Sequence, residues 1–233
     1  MKSRGGARGG GRSAVSFLHE DRDIIVVDKP EGLATIAPAG GRGRNLLDLV
    51  TDRIRRRNPK GRAAVVHRLD RDTSGVMVFA TNARSKTTLM NEWDRRAVDR
   101  RYLALVEGAM EGDSGILDSW LAEAGPSRMR VAQAQERGAL HARGSWSRVA
   151  EGNGFTLLEL ALETGRKHQI RVQLASIGHP VAGDLHYGAR RDPGGRLMLH
   201  ASLLTLVHPV TDETLRFASP APPAFRAALS TSR

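Results

Sequence analysis

Apolar runs of strand length recur along the 233-residue chain, at DIIVVD, GVMVFA, RYLALVEG, FTLLELAL, LMLHASLLTLV and TLRF. The helical patterns among them come at irregular intervals. A doubly wound parallel sheet needs a crossover helix between successive strands, so this spacing argues against one and predicts an α+β fold. The first run reads as a buried strand, Ile24 to Val27, ended by a Lys-Pro-x-Gly turn. Asn45 is placed to cap a helix whose Leu46, Leu47, Val50 and Ile54 share one face and which stops at NPKG. A second helix is predicted from Asn82 to about Arg96, with Leu89 and Trp93 one turn apart. In RYLALVEG, Tyr102, Ala104 and Val106 fall on one face. Residues 111 to 138 read as polar and irregular. In KHQIRVQLASIGHP, Ile170, Leu174 and Ile177 give a helical stripe closed by Gly178 and Pro180, and PPAFRAALS gives a terminal helix. No repeat or long linker divides the chain, so residues 14–233 are expected to form one domain.

Charge narrows the partner. The chain carries a formal +11, and the first thirteen residues, MKSRGGARGGGRS, hold four cations and no acid. Removing those four from +11 leaves +7, so the remainder is basic too. Residues 1–13, rich in glycine and arginine with nothing to bury, are expected to be a disordered tail. Lys and Arg displace counterions from phosphates, which favours a nucleic acid; solubility charge is the alternative that charge alone leaves open. No apolar stretch is long enough to span a bilayer and the N-terminus has no apolar block. The absence of cysteine excludes disulfides, thiolate metal sites and a Cys nucleophile. A cytoplasmic protein is expected.

The chemistry-bearing stretch is HRLDRDTSG, residues 67 to 75, on a loop between two expected strands. Positive neighbours favour the charged form of a carboxylate, which suits a nucleophile or a charge stabiliser better than an acid. From the loop alone a surface ion pair is the favoured reading, because such pairs are common. Neither HExxH, GxSxG, GxGxxG nor a P-loop occurs, so the sequence offers no zinc site, nucleophile elbow or nucleotide cofactor site. His67, His168 and His200 read as hydrogen-bonded structural residues.

Taken in order, VVDKPEGL, HRLDRDTSG, RRYLALVEG, ETGRKHQIRVQLASIGHPVAGDLHYG and LMLHASLLTLVHP resemble the RluA-like family of pseudouridine synthases, from Phe17 to the C-terminus. The resemblance implies a mixed, mostly antiparallel central sheet with flanking helices and a central catalytic cleft. It implies RNA as partner, ribosomal or transfer, modified by a monomer with no metal or small-molecule cofactor. Asp70 matches the catalytic aspartate, Arg171 the basic residue that pairs with it, and Tyr102 the tyrosine that stacks on the base. Arg68 matches the residue that fills the gap left by a flipped base. Arg71, Arg166 and His67 are expected on the RNA side, with Arg166 in a turn and His67 orienting the loop. Thr73, Ser74 and Gly75 are expected to shape the loop, Gly75 by allowing a close backbone approach. Asp184 and Tyr187 are expected to be structural. Two departures stand out: Gln173 replaces a frequent His, and only the Arg/Gly tail stands where many relatives carry a small RNA-binding domain. A non-catalytic RNA-binding factor on the same scaffold is the alternative, though binding alone needs none of Asp70, Tyr102 and Arg171. A hydrolase using Asp70 lacks a water-activating base.

Overall fold

In the computed structural model, which describes residues 15–37, 43–125 and 127–230, the apolar runs pair edge to edge into one large sheet. In chain order the strands are β1 (Ser16–Glu20), β2 (Ile24–Lys29), β3 (Ala64–Val65), β4 (Ser74–Ala80), β5 (Ala97–Glu107), β6 (Ser114–Glu123), β7 (Met129–Ala132), β8 (Leu140–Gly152), β9 (Phe155–Leu162), β10 (Leu199–Val207) and β11 (Thr214–Ala218). Across the sheet they run β1-β2-β4-β10-β5-β9-β8-β6-β7, with β3 beside β4 and β11 beside β10. Among these pairings only β4 with β10 is parallel. The expected mixed, mostly antiparallel sheet is what forms. The Arg/Gly tail lies outside the described residues.

Side chains alternate across a strand, and the first half of the sheet is buried on both faces. Ile24, Val26, Val76 and Val78 pack under Leu89, while Ile25, Val27, Met77 and Phe79 pack against Leu46, Val50 and Ile54. Two-sided burial explains why IIVV and VMVF are uninterrupted apolar runs. Leu46, Val50 and Ile54 belong to α1 (Leu46–Arg55), which begins in a capping box: Asn45 accepts from the Asp48 amide, and Asp48 accepts from the Asn45 amide. Leu89 lies on α2 (Ala83–Asn91), capped by Asn82. The helix expected to reach Arg96 instead breaks at Glu92 and restarts as α3 (Trp93–Arg96). At the break Glu92 accepts from Arg95 and Arg96, and Arg96 donates onward to the His208 carbonyl and Asp212. That anchoring fixes the last four residues to the segment around His208 and Asp212.

The second half of the sheet differs. Its core combines Ala104, Val106, Leu158 and Leu160 with Ile170 and Leu174 of α4 (Gln169–Ser176) and Phe225 of α5 (Pro223–Leu229). Ile177, expected to extend the α4 stripe, is the C-cap and exposed. Residues 111 to 138, expected to be irregular, contain β6 and β7. Their buried side is a small cluster, Leu121 and Met129 with Ala142, Val172 and Tyr187, plus Leu117 in the larger core. So few positions need be apolar that the strands read as polar. No described helix is long and apolar enough to cross a membrane.

Candidate active site

The loop before β4 is fixed mainly through its backbone. The Leu69 carbonyl accepts from Thr35 Oγ1 at 2.8 Å. The Arg71 carbonyl accepts from Lys29 Nζ at 2.8 Å, and the same ammonium donates to the Pro30 carbonyl at 2.9 Å and the Leu33 carbonyl at 2.8 Å. Lys29 is wholly buried, and three carbonyls use its three N–H groups. Burial pulls its pKa down to about 8 against the opposing field of Asp72 and Asp70. Behind the loop, Gly75 has φ +115, and a Cβ there would lie 2.1 Å from the Ala201 carbonyl oxygen. Only glycine permits this approach of β4 to β10, as the sequence suggested.

The facing wall is α4 and the segments around it. Gln169 turns back into the loop before it, accepting from Thr164 Oγ1 at 2.8 Å and the Arg166 amide at 3.0 Å. Its own amide donates to the Arg143 carbonyl. Gln173, one turn on, donates to Ser119 Oγ and the Ala142 carbonyl, tying α4 to β6 and β8. The helix so held presents Arg171. Its Nη1 donates to Asp70 Oδ2 at 3.0 Å, while Nε and Nη2 donate to the two oxygens of Asp184 at 2.7 and 2.9 Å. The Asp184 side chain is 2 % exposed and that of Asp70 21 %. The guanidinium also lies 5.0 Å from the centre of the Tyr187 ring. Burial alone would lower the Arg171 pKa; hydrogen bonds and charge from Asp184, then Asp70, outweigh it and raise the pKa above its ordinary value.

A cleft of about 80 Å³ opens between the two walls, lined by Asp70, Arg68, Tyr102, His168, Arg166 and Arg171 among others. Tyr102 stands on β5 and packs against the cores of both halves. Burial pushes its phenol up to about 12, so the hydroxyl keeps its proton at neutral pH. Arg68 and Leu69 also line a broader groove of about 1290 Å³ running past Arg71, Arg53 and Arg56. Arg68, Arg71 and Arg166 are all exposed. Arg71 Nε donates to the Gly32 carbonyl and Arg166 Nε to that of His141.

The residues matched to the family's catalytic set therefore meet at one cleft. His67, expected on the RNA side, is instead turned inward. Its Nε2 accepts from the Val78 amide at 3.1 Å and its ring stacks on Trp93. Burial, then the nearby Arg100, lowers its pKa to about 3. It keeps the loop-orienting part of the expectation. Asp184, expected to be structural, is the principal partner of Arg171. His168, read as structural, reaches the cleft, with Nε2 3.7 Å from Asp70 Oδ2. Its place in HQIR, three residues before Arg171, was the available signal.

One acidic cluster lies elsewhere. Asp21, Asp23 and His208 bring potential ligand atoms within 4.8 Å of one another. His208 Nδ1 accepts from the amides of Val210 and Thr211, so in the neutral ring Nε2 carries the proton. That nitrogen faces Asp21 Oδ2 at 3.3 Å, and in this tautomer it has no lone pair to offer a metal.

Comparison with known proteins gives the family. Residues 23–176 match the family model described as RNA pseudouridylate synthase. An uncharacterized RNA pseudouridine synthase, YhcT, of Bacillus subtilis is 35% identical over 210 residues, covering 89% of this chain and 69% of that protein. Ribosomal large subunit pseudouridine synthase D of Nitrosomonas europaea is 37% identical over 228 residues, covering 94% and 65% respectively. The chain thus spans about two thirds of the length of these relatives. Among solved structures, human RNA Pseudouridylate Synthase Domain Containing 1 superposes with a TM-score of 0.75 at 26% identity, covering 96% of this chain and 91% of that one.

Proposed function

The chain belongs to the RNA pseudouridylate synthase family, and from that premise we propose that it isomerises specific uridines of structured RNA to pseudouridine, with Asp70 at the ribose–base junction. The C1′–N1 bond breaks, the uracil turns, and C1′ bonds to C5; C5 loses a proton and N1 gains one. Nothing is consumed, so the residues need only break, hold and rejoin. Each conceivable route, through attack on the sugar, attack on the base or a glycal, requires a carboxylate beside that junction. The observation that carries the assignment is the Asp70–Arg171 pair, 3.0 Å apart, lining the cleft together with Tyr102. Arg171 orients Asp70 and keeps its negative charge matched. Tyr102, protonated, offers a ring face to the uracil and a hydroxyl to an acceptor.

A uridine stacked in a helix cannot present its glycosidic bond to a loop carboxylate, so the target base flips out. Arg68 at the mouth fills the place it leaves, and the groove past Arg71, Arg53 and Arg56 takes flanking phosphates. Ribosomal RNA is the foremost candidate, since relatives such as the Nitrosomonas protein are named for the large ribosomal subunit; transfer RNA is the other. The protein acts as a monomer in the cytoplasm, without metal or cofactor. A purely RNA-binding role would leave the buried Arg171–Asp184 pair and its link to Asp70 without a purpose.

The test is a map of pseudouridine across total RNA from cells with and without this gene. One or a few positions should revert to uridine in the deletion and return on complementation. Identical maps would overturn the proposal.

A further inference from the structure

His168 has an unusual place in the cleft. It precedes α4 in the left-handed region, φ +55. The other described non-glycine residues with positive φ are Asn153 and Asp212, types that tolerate it through local hydrogen bonding. Strain of this kind persists only where the surroundings enforce it. Here the enforcing contact is Tyr187. Tyr187 Oη accepts from the Met129 amide at 2.9 Å and lies 2.8 Å from His168 Nδ1. An oxygen already accepting from the amide has its own proton to donate, so Nδ1 is the acceptor and Nε2 carries the hydrogen. That N–H points into the cleft. Asp70 Oδ2, at 3.7 Å, is beyond hydrogen-bond range.

We propose that His168 is a catalytic residue, donating its Nε2–H to a carbonyl oxygen of the target uracil while the base is detached from the ribose. This rests on the uridine isomerisation assigned above. When C1′–N1 breaks, its electron pair leaves with N1, and the charge spreads onto the two ring carbonyl oxygens. A fixed donor aimed at that charge stabilises the separated state more than the intact nucleotide, which is the condition for acceleration. His168 keeps its proton throughout; C1′–C5 then forms, and the C5 proton is lost as N1 gains one. Burial, with the charges of Arg171, Lys167 and His186, lowers the His168 pKa against the pull of Asp70, so the ring is a neutral donor and adds no charge beside the Asp70–Arg171 pair.

The experiment measures tritium released from uracil C5 in single-turnover reactions on labelled total RNA from cells lacking the gene, with RNA affinity and melting temperature measured in parallel. His168→Gly removes the donor while suiting φ +55 better than histidine, so stability should hold. Its rate should fall on the order of a hundredfold, the scale of one lost donor to developing charge, with affinity unchanged. His168→Gln keeps an amide N–H at similar reach and should recover part of the rate. Tyr187→Phe releases the tautomer and should slow wild type several-fold, yet add little in the His168→Gly background. Should the glycine variant fail to fold, His168→Asn tolerates the same backbone and lacks a donor at the Nε2 position. A folded variant without the donor that runs within about threefold of wild type overturns the role of His168. If wild type itself releases no tritium, the isomerase assignment fails first.

Discussion

Leu69, Asp70 and Arg71 are gripped from behind by their main chain, whereas Arg171 across the cleft is gripped by its side chain. On the loop, Thr35 and Lys29 take carbonyl oxygens, and Gly75 lets β4 lie against β10. The Asp70 side chain takes no part in that grip. On α4, Asp184 and Tyr187 hold the same guanidinium that meets Asp70. The two walls thus separate scaffold from chemistry to different degrees. Damage behind the loop should show first as lost stability; damage behind Arg171 should reach the reaction directly, because the holding group and the working group share one charge network.

The largest expected effect sharpens the α4 side. Arg171→Met removes the charge and strands Asp184, and losing one partner of a buried pair costs about 3–5 kcal/mol. Folded protein should lose nearly all single-turnover rate with RNA affinity largely kept, while Arg171→Lys keeps the charge without the fork and retains measurable activity. A near wild-type rate for folded Arg171→Met would erase the contrast between the walls. Asp184→Asn should come next. It leaves Arg171 its contact with Asp70 but a poorer hold, so a roughly tenfold slower rate is expected together with a lower melting temperature. An unchanged rate would make Asp184 scaffold only.

On the loop side, Lys29→Met leaves three carbonyls without their donor, at about 1–3 kcal/mol for each that water does not reach. Melting should drop steeply while the rate of the folded fraction falls less than for Asp184→Asn; the reverse order would break the comparison. The smallest effect on the reaction is a pH dependence of stability at His67. Burial holds its pKa at about 3 in the folded protein against 6.5 for the free ring. As pH falls the unfolded chain takes up the proton first, so His67 contributes a stability that is complete above about 6.5 and is lost progressively toward 3. His67→Gln, which can still accept from the Val78 amide, should flatten that part of the stability curve in denaturant titrations from pH 7 to pH 4. Parallel curves for the two proteins would show the ring titrates normally.

The contrast between the halves also decides what the sequence made legible. Strands buried on both faces, β2 and β4, read directly as apolar runs, and α1 announced itself through Asn45 and its stripe. β6 and β7 did not, because an edge of the sheet covered by a small cluster needs few apolar residues and so resembles loop. The break at Glu92 was hidden because it depends on Arg96 reaching His208 and Asp212, over a hundred residues away. In the site, motif resemblance pointed to Asp70, Tyr102 and Arg171, and the fold brings them to one cleft. Asp184 was expected to be structural, but its pairing with Arg171 was not legible, since no local pattern says that GDLHY brings it there. His67, expected on the RNA side from the resemblance, packs its ring on Trp93 instead, a contact that no local pattern in HRLD announces.

The most direct test of the whole account is Asp70→Asn in the purified protein, with Asp72→Asn, an exposed neighbour two residues on, as the control. Asparagine keeps the shape and can still accept from Arg171, but carries no charge to the ribose–base junction. Single-turnover pseudouridine formation should vanish for Asp70→Asn, with RNA affinity and melting temperature near wild type, while Asp72→Asn stays close to wild type in all three. Appreciable pseudouridine formation by folded Asp70→Asn would contradict the account.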